Sequence, residues 1–174
     1  SILKMIIMML KKIAILSLLL TSPILAFANG AGYGKTTWGM SPQEVVAVES
    51  NRATLIEPKK YSGAWGKVQI NNVSIGSGSY TVDFLFDESD KLVQTNVTSN
   101  EKRNIGIANN NFKTLSQLLT QKYGTPQFQS SDSVTWKTAD TTIELKKLIV
   151  GSVIAQTSIR YIPNSKVVVD TSNL

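Results

Sequence analysis

The sequence predicts an α+β fold in which helices pack on one face of an antiparallel β-sheet. Two amphipathic segments with helix-capping residues each precede a run of strand-like segments, and those strands follow one another through short turns. Strands joined directly by turns pair as hairpins, and hairpin-linked sheets are antiparallel with one face packed on the core. The order of helix, strands, helix and strands is also compatible with a tandem α-β(n) repeat.

The first helix is predicted to begin at Pro42 and to end near Asn51. Ser41 is a favourable N-cap, proline suits the first helical position, and Glu44 completes a capping box. A short strand is expected next, over residues 54–56. Three valines follow the cap and give this first helix an apolar side that can face the core: Val45, Val46 and Val48.

The first β block is predicted over residues 67–98. Its strongest signal is a strict alternation that places four large apolar side chains on one strand face, with Thr81 and Asp83 on the other: Tyr80, Val82, Phe84 and Phe86. The pair Asn71-Asn72 interrupts an earlier alternation and predicts a bulge or tight turn. Residues 87–90 carry three acids and predict the turn of a hairpin.

The main helix is predicted over residues 109–123, after a polar, turn-like segment. Its apolar side chains recur at helical spacing, Gly124 suits the position after the helix end, and Pro126 prevents continuation. A second β block follows, in which Val134 and Trp136 and then Ile143 and Leu145 alternate with polar residues. The apolar run 148–155 surrounds Gly151-Ser152, a predicted hairpin turn, and is expected to be core.

The N-terminal segment has the pattern of a secretory signal peptide over residues 1–28. Lys11 and Lys12 precede a short apolar run, Pro23 interrupts it, and the small residues Ala26 and Ala28 form an A-x-A cleavage motif. We therefore expect a periplasmic or secreted protein. The expected organisation is a flexible glycine-rich lead at 29–37, a single domain at 38–162 and a C-terminal tail at 163–174.

Composition excludes several classes of chemistry. The chain contains neither cysteine nor histidine, which excludes Ser-His-Asp and Cys-His catalysis, thiolate or imidazole metal ligation, and a lipidated cysteine. No acidic loop has calcium-binding spacing, so no metal or cofactor is expected. The net charge of +6 is scattered and partly lies in the signal, which does not favour nucleic-acid binding. After cleavage no stable membrane anchor is expected.

Several segments resemble small exported bacterial proteins of the β-lactamase-inhibitor-like fold. They are Trp38–Val45, the strand 80–86 with Lys91–Val93, the helix end Leu118–Pro126, and Trp136 followed by 143–145 and 159–161. Together they cover most of residues 38–161. The resemblance implies a helix-plus-sheet unit whose concave sheet and loops bind other proteins. Outer-membrane-assembly lipoproteins share this layout, but their lipidated cysteine is lacking here. No catalytic residues carry over.

A predicted loop over residues 59–66 carries the candidate binding residues: Lys59, Lys60, Tyr61 and Trp65. Loops commonly present binding side chains, and tyrosine and tryptophan are enriched at interface centres. The alternative interpretation, which we favour for Trp65, is that this residue begins a strand and packs into the core. Substitution by alanine distinguishes the two, because only a core residue is needed for folding.

Three functions are compatible with these features. The first is a non-enzymatic protein-binding module of inhibitor, immunity or envelope-assembly type, whose partner lies in the envelope or outside the cell. The second is a periplasmic carrier of a small apolar ligand held between helix and sheet. The third is a cell-wall hydrolase that uses paired carboxylates, for which the clustered acids are the candidates: Asp83, Asp87, Glu88 and Asp90.

Overall fold

The computed structural model describes residues 2–4, 30–167 and 172. The signal peptide expected over residues 1–28, apart from residues 2–4, and most of the expected tail beyond residue 167 lie outside the described residues. Within the described part, no helix combines the length and apolar character needed to cross a bilayer. Over residues 30–167 the architecture is an eight-stranded antiparallel sheet with two α-helices, which confirms the α+β class.

The described elements alternate as one helix and four strands, then a second helix and four strands. The helices are α1, Pro42–Val48, and α2, Ile105–Tyr123; a short 3-10 helix follows at Asn164–Lys166. The strands are β1, Ala53–Tyr61; β2, Ala64–Ile75; β3, Gly78–Phe86; β4, Leu92–Ser99; β5, Phe128–Gln129; β6, Ser133–Lys137; β7, Thr141–Val150; and β8, Ile154–Pro163.

The two groups of four strands form one continuous sheet in the order β1-β2-β3-β4-β8-β7-β6-β5. Within each group neighbouring strands in sequence are neighbours in space, as in a meander. The groups meet through their last strands, where Val97 of β4 lies opposite Ile159 of β8. Every pairing is antiparallel, which agrees with the hairpin-linked pattern of the sequence.

The hydrophobic core lies between the helices and one face of the sheet. Val45 of α1 and Leu115 of α2 belong to the same cluster of buried side chains, so both helices pack on the same face. The alternating residues predicted for β3 are fully buried there: Tyr80, Val82, Phe84 and Phe86. The opposite face of the sheet carries neither helix.

The helix caps behave largely as expected, with two corrections to the helix bounds. The helix α1 ends at Val48 rather than near Asn51, and α2 begins earlier than predicted. The Ser41 hydroxyl accepts the Glu44 backbone N–H at 3.2 Å, and Pro42 occupies the first turn of α1. The prediction that α2 begins at residue 109 is wrong, because the Asn104 side chain accepts the Ile107 N–H at 2.9 Å and the helix begins at Ile105. The helix ends at Gly124, whose φ of 88° lies in the region that favours glycine.

The segment predicted as a loop over residues 59–66 is instead a β-hairpin. β1 continues through Pro58 to Tyr61, and only Ser62 and Gly63 separate it from β2. A register shift between Leu55 and Lys59 accommodates the proline, which lies on an edge strand where its missing N–H is tolerated. The predicted irregularity at Asn71-Asn72 is confirmed, since the β2–β3 register shifts there and Asn72 has a φ of 54°.

The lead expected over residues 29–37 is defined from Gly30 onward and packs on the domain. Ala31 and Thr37 form a β-bridge, and the Lys35 N–H donates to the Glu49 carboxylate at 2.8 Å. The ring of Tyr33 lies edge-on to those of Phe84 and Tyr161, at 6.0 and 5.5 Å between centroids. Thus a glycine-rich composition there permits a tight turn that brings an aromatic ring onto the core.

The apolar run after Lys147, expected as core, is largely exposed. The β7–β8 hairpin extends beyond its neighbours, because β6 pairs with β7 only as far as Lys146 and β4 pairs with β8 only as far as Ser158. The exposed fractions are 52% for Leu148, 40% for Ile149, 50% for Val150 and 68% for Val153. These side chains are uncovered because β7 and β8 extend beyond the neighbouring strands. A hydropathy pattern does not reveal how far a strand extends past its neighbours.

Candidate functional site

The β1–β2 hairpin divides the four candidate binding residues between the two faces of the sheet. Residues directly opposite each other in an antiparallel pair point to the same face. Lys60 lies opposite Trp65, and Trp65 lies opposite the core residue Phe86, so this pair points to the helix side. Lys59 and Tyr61 alternate with Lys60 and therefore point to the face that carries no helix.

On the helix-free face, Lys59 and Tyr61 act as neighbours. The Lys59 ammonium lies 5.4 Å from the centroid of the Tyr61 ring. The ring itself covers Gly66 on the adjacent strand, where an added Cβ would approach Tyr61 Cε2 to 3.0 Å. Glycine therefore allows the tyrosine to lie flat against the sheet, half-buried and next to a cation.

On the helix side, Lys60 and Trp65 form a second pair. The Lys60 ammonium lies 5.7 Å from the Trp65 ring centroid. Trp65 begins β2 as expected, but the expectation that it joins the core is only partly met, because it is half-buried and not among the buried core residues. The four residues therefore do not form one surface.

The most extensive concentration of polar side chains covers the helix-free face. We call this surface the open face and define it by outward-pointing residues of β2, β3, β4, β7 and β8: Gln69, Asp83, Gln94, Asn96, Thr98, Glu144, Lys146, Gln156, Ser158 and Arg160. Most are half-buried. In the described part of the chain, Lys166 and Val167 border one end of this surface, where they line a depression together with Arg160. The signal for this surface is present in the sequence as polar residues at every second position of β4 and β8.

The open face is ordered by hydrogen bonds between neighbouring strands. Five side chains at paired register positions form one row across five strands: Gln69, Asp83, Asn96, Arg160 and Glu144. The Gln69 amide donates to Asp83 at 2.8 Å, and Arg160 donates to Glu144 Oε2 at 2.7 and 3.1 Å. These contacts hold the side chains in defined positions without filling the space above them.

Three depressions follow one another along the open face. Their volumes are about 420, 380 and 370 Å³. The first two share Thr98 and Gln156, and the second and third share Gln94 and Arg160. Lys59 and Tyr61 border the first depression. Because neighbouring depressions share lining residues, they form one shallow, polar concavity rather than separate pockets.

Asp83 and Glu144, the two acids of the open face, do not form a carboxylate pair of the kind that a glycosidase uses. Asp83 and Glu144 both belong to the open face, but β4 and β8 lie between their strands, which separates them by about 14 Å at the usual strand spacing. Glycosidase pairs lie about 5–9.5 Å apart. Asp87 caps its own turn by accepting the Ser89 and Lys91 N–H groups, and Asp90 pairs with Lys67. Among the described residues, no cluster of three or more acidic side chains is placed to hold a metal.

A separate cavity of about 330 Å³ lies on the helix side, where the end of α2 meets the N-terminal turn. Its lining includes Ala31, Gly32, Tyr123, Ile143 and Tyr161. Burial raises the pKa of the Tyr161 phenol well above its usual value, and the neighbouring Tyr123 adds to this effect. The phenol is therefore neutral at physiological pH. Because Lys122 and Asp140 also line the cavity, apolar walls are combined there with neutral and ionisable polar groups.

Comparison with known proteins identifies a family. The family model described as the TP0088 domain matches residues 31–171. Neither a curated protein nor a solved structure shows significant similarity to the chain. The matched segment includes both helices, all eight strands and the N-terminal turn that carries Tyr33. On this match, the chain belongs to the TP0088 domain family.

Proposed function

We propose that the chain is an exported, non-enzymatic protein-binding module that holds its partner on the open face. The observation that carries this proposal is a broad, polar, concave sheet surface on the side opposite both α-helices. The partner would supply the complementary surface in the periplasm or outside the cell. It would be the target of an inhibitor, a toxin or a protein of envelope assembly. The family match begins at residue 31, which leaves the expected signal peptide outside the matched domain.

The size of the open face supports a protein rather than a small molecule. Five strands cover about 24 Å, and strands of eight residues or more extend for about 26 Å. The resulting area, about 600 Å², is comparable to the roughly 800 Å² that each partner contributes to an ordinary stable interface. Amide side chains such as Gln94 and Asn96 supply both donors and acceptors, as a polar interface requires.

Lys59 and Tyr61 form the anchor at one border of this interface. Tyr61 supplies a flat aromatic surface that already packs against Gly66 and beside Lys59, so little side-chain entropy is lost on binding. Lys60 and Trp65 point to the helix side and are assigned to the support of the β1–β2 hairpin. The interface therefore uses half of the residues that the sequence suggested, together with the polar strand residues.

We also infer that the fold is a tandem repeat of the β-lactamase-inhibitor-like kind. In support, each helix is followed by four meandering strands, and the two sheets join through their last strands β4 and β8. A pseudo-twofold relation of this kind would place equivalent strands at equal distances from the centre. Independent expression of residues 38–104 tests the repeat, since a true repeat unit retains secondary structure that an arbitrary fragment does not.

Site-specific photo-crosslinking tests the proposed interface. A photoreactive amino acid at Ser158, at the centre of the open face, should crosslink a defined partner in envelope or culture-supernatant extracts of the source organism. The matched control is Gln117, which is exposed on α2 at the other side of the domain. A partner that crosslinks equally from both positions, or from Gln117 alone, would contradict the assignment of the open face.

A substitution pair then tests whether contact there provides affinity. Ser158→Arg should abolish capture of the crosslinked partner because it places a long charged side chain in the concavity, whereas Gln117→Arg should leave capture unchanged. Both variants should keep the wild-type melting temperature. Retained capture by Ser158→Arg would contradict the proposal.

The helix-side cavity supports a second candidate, the carrier of a small apolar ligand. Its walls include Ala31, Ile143 and tyrosine rings, with Lys122 and Asp140 also in the lining, which suits a compact molecule with an apolar body and a polar group. Extraction of the purified protein followed by mass spectrometry tests this function. Ala31→Trp should then displace the extracted molecule, while Ser158→Arg should not.

A further inference from the structure

We propose that the β7–β8 hairpin docks the protein reversibly on an anionic lipid surface. The docking element is the apolar tip, which we define as Leu148, Ile149, Val150 and Val153. This inference concerns a different surface from the open face and does not depend on it. Its starting point is that four consecutive or near-consecutive aliphatic side chains project from the sheet without a partner in the described chain.

The apolar tip is exposed on both faces of its hairpin. Leu148 lies opposite Gln156 of the open face, whereas Ile149 lies opposite Ala155, which is buried on the helix side. Val153 projects from the turn itself and is the most exposed of the four. A protein groove covers one face of a strand pair, but an acyl-chain environment surrounds a projecting tip, and the distribution of these side chains matches the second case.

The first turn of α2 extends the same apolar region. The Ala155 N–H donates to the Lys102 carbonyl at 2.7 Å, and Thr157 donates to the Ala108 carbonyl at 2.9 Å. These bonds hold the start of α2 beside the hairpin, and both Ile105 and Ile107 remain exposed there, at 45% and 42%. Hydrogen bonds therefore hold the exposed isoleucines at the start of α2 beside the β7–β8 hairpin that carries the apolar tip.

Basic side chains surround this region on three sides. Lys146 lies on the open face of β7, Lys102 and Arg103 lie in the exposed segment before α2, and Lys147 donates to Asn109 at 2.8 Å on the helix side. Three acids lie nearby. The Glu101 carboxylate accepts the Arg103 and Asn104 N–H groups, Glu144 Oε2 lies 3.9 Å from Lys146 Nζ, and the Asp132 carbonyl accepts the Lys147 N–H. An apolar tip with a basic border complements a bilayer whose headgroups are anionic, because the tip enters the interface while the cations contact phosphates.

The geometry predicts weak and salt-sensitive attachment. Four aliphatic side chains are fewer than those of a typical interfacial helix, so the docked and free forms should exchange readily. Each lysine or arginine near an anionic surface contributes roughly a fivefold increase in affinity at ordinary ionic strength. Such attachment would orient the hairpin end of the sheet toward the membrane and leave the open face accessible from the side.

A single introduced cysteine reports insertion directly, because the chain has no cysteine of its own. The experiment uses the chain from Asn29 onward, which retains every described helix and strand of the sheet domain. Val153→Cys carries an environment-sensitive fluorophore and is titrated with phosphatidylcholine vesicles that contain 30% phosphatidylglycerol. The matched control is Phe128→Cys on the edge strand β5, where the native side chain is 56% exposed.

The expected result is a blue shift and a several-fold rise in emission at position 153 with anionic vesicles only, and none at position 128. In vesicle flotation, Leu148→Ser combined with Val150→Ser and Val153→Ser should reduce binding about tenfold without changing the melting temperature. Lys102→Glu with Arg103→Glu should reduce it at least about 25-fold, because each of the two lost cations contributes roughly fivefold. Half-molar salt should also release the wild-type chain.

Three outcomes would overturn the proposal. Equal emission changes at positions 153 and 128 would indicate general adsorption rather than insertion of the tip. An emission change without vesicles that disappears on dilution, together with a dimer in sedimentation, would assign the tip to a second copy of this chain. The absence of any change with anionic vesicles would leave a protein partner as the occupant of the tip and refute lipid docking.

Discussion

Tyr80→Phe is expected to stabilise the protein, against the usual effect of a core substitution. Tyr80 is fully buried in β3, and its hydroxyl has no hydrogen-bond partner among the described residues. An unsatisfied buried hydroxyl costs about 1–3 kcal/mol. Phenylalanine keeps the ring and removes the hydroxyl, so the free energy of unfolding at pH 7 should rise by about 1 kcal/mol, or roughly 3 °C in melting temperature for a domain of this size.

The same substitution should also change how the free energy of unfolding depends on pH above about pH 10. Burial raises the pKa of Tyr80 to about 12, above the ordinary value of 10.0 in the unfolded chain. The folded state therefore holds this proton more tightly, and its contribution to stability is complete below pH 10 and is lost as the pH rises from 10 toward 12. Each pH unit in that window corresponds to about 1.4 kcal/mol.

The assay is urea unfolding of the wild type and the Tyr80→Phe variant at pH 7 and pH 11. Phenylalanine cannot ionise, so the advantage of the variant should increase at pH 11 by about 1 kcal/mol. Tyr33 and Tyr161 are present in both proteins and cancel in the comparison. A variant that is less stable than the wild type at pH 7, or an advantage that does not change with pH, would refute the reasoning.

Three further predictions concern the hairpin, the open face and a helix end. Trp65→Ala should cost about 1–2 kcal/mol because the ring is half-buried, whereas Trp136→Ala, at a fully buried position, should cost about 3–5 kcal/mol; equal losses in denaturant unfolding would place Trp65 in the core after all. A double-mutant cycle between Arg160 and Glu144 should give a coupling below about 1 kcal/mol that falls with salt, because both side chains contact solvent; a larger, salt-independent value in the same unfolding assay would contradict this. Gly124→Ala should lower the melting temperature by a few degrees, since its φ of 88° disfavours a Cβ; an unchanged melt would show that the helix end adapts.

The elements with regular spacing could be predicted because their signals are local. The alternation from Tyr80 to Phe86 specifies which side chains enter the core, and the capping residues Ser41 and Gly124 mark helix ends by hydrogen bonding and by a positive φ. The start of α2 lies earlier than the prediction because Gly106 and the polar residues 99–104 favour a turn, whereas the Asn104 cap begins the helix at Ile105. Pro58 predicts an early end for β1, but the strand continues through it to Tyr61.

The candidate binding site could be predicted only in part. Proximity in sequence suggested that Lys59, Lys60, Tyr61 and Trp65 act together, but strand geometry sends alternate residues to opposite faces, and the shift of register near Gly66 decides which face each takes. The polar residues of β4 and β8 were visible as an alternation, yet nothing local indicates that these two strands are neighbours. Their pairing joins residues more than sixty positions apart, such as Asn96 and Arg160.

The sequence by itself determined the α+β class, the antiparallel meanders, the start of α1, the end of α2 and the exclusion of histidine and cysteine chemistry. These depend on local periodicity, capping and composition, which each segment carries independently of the rest. Only the tertiary structure decided that the two meanders join through β4 and β8, that one face of the resulting sheet stays open, and that the apolar run after Lys147 lies outside the core. The physical reason is that burial depends on which strands extend alongside a segment, and a hydrophobic pattern records only what a segment can bury, not whether a neighbour reaches it.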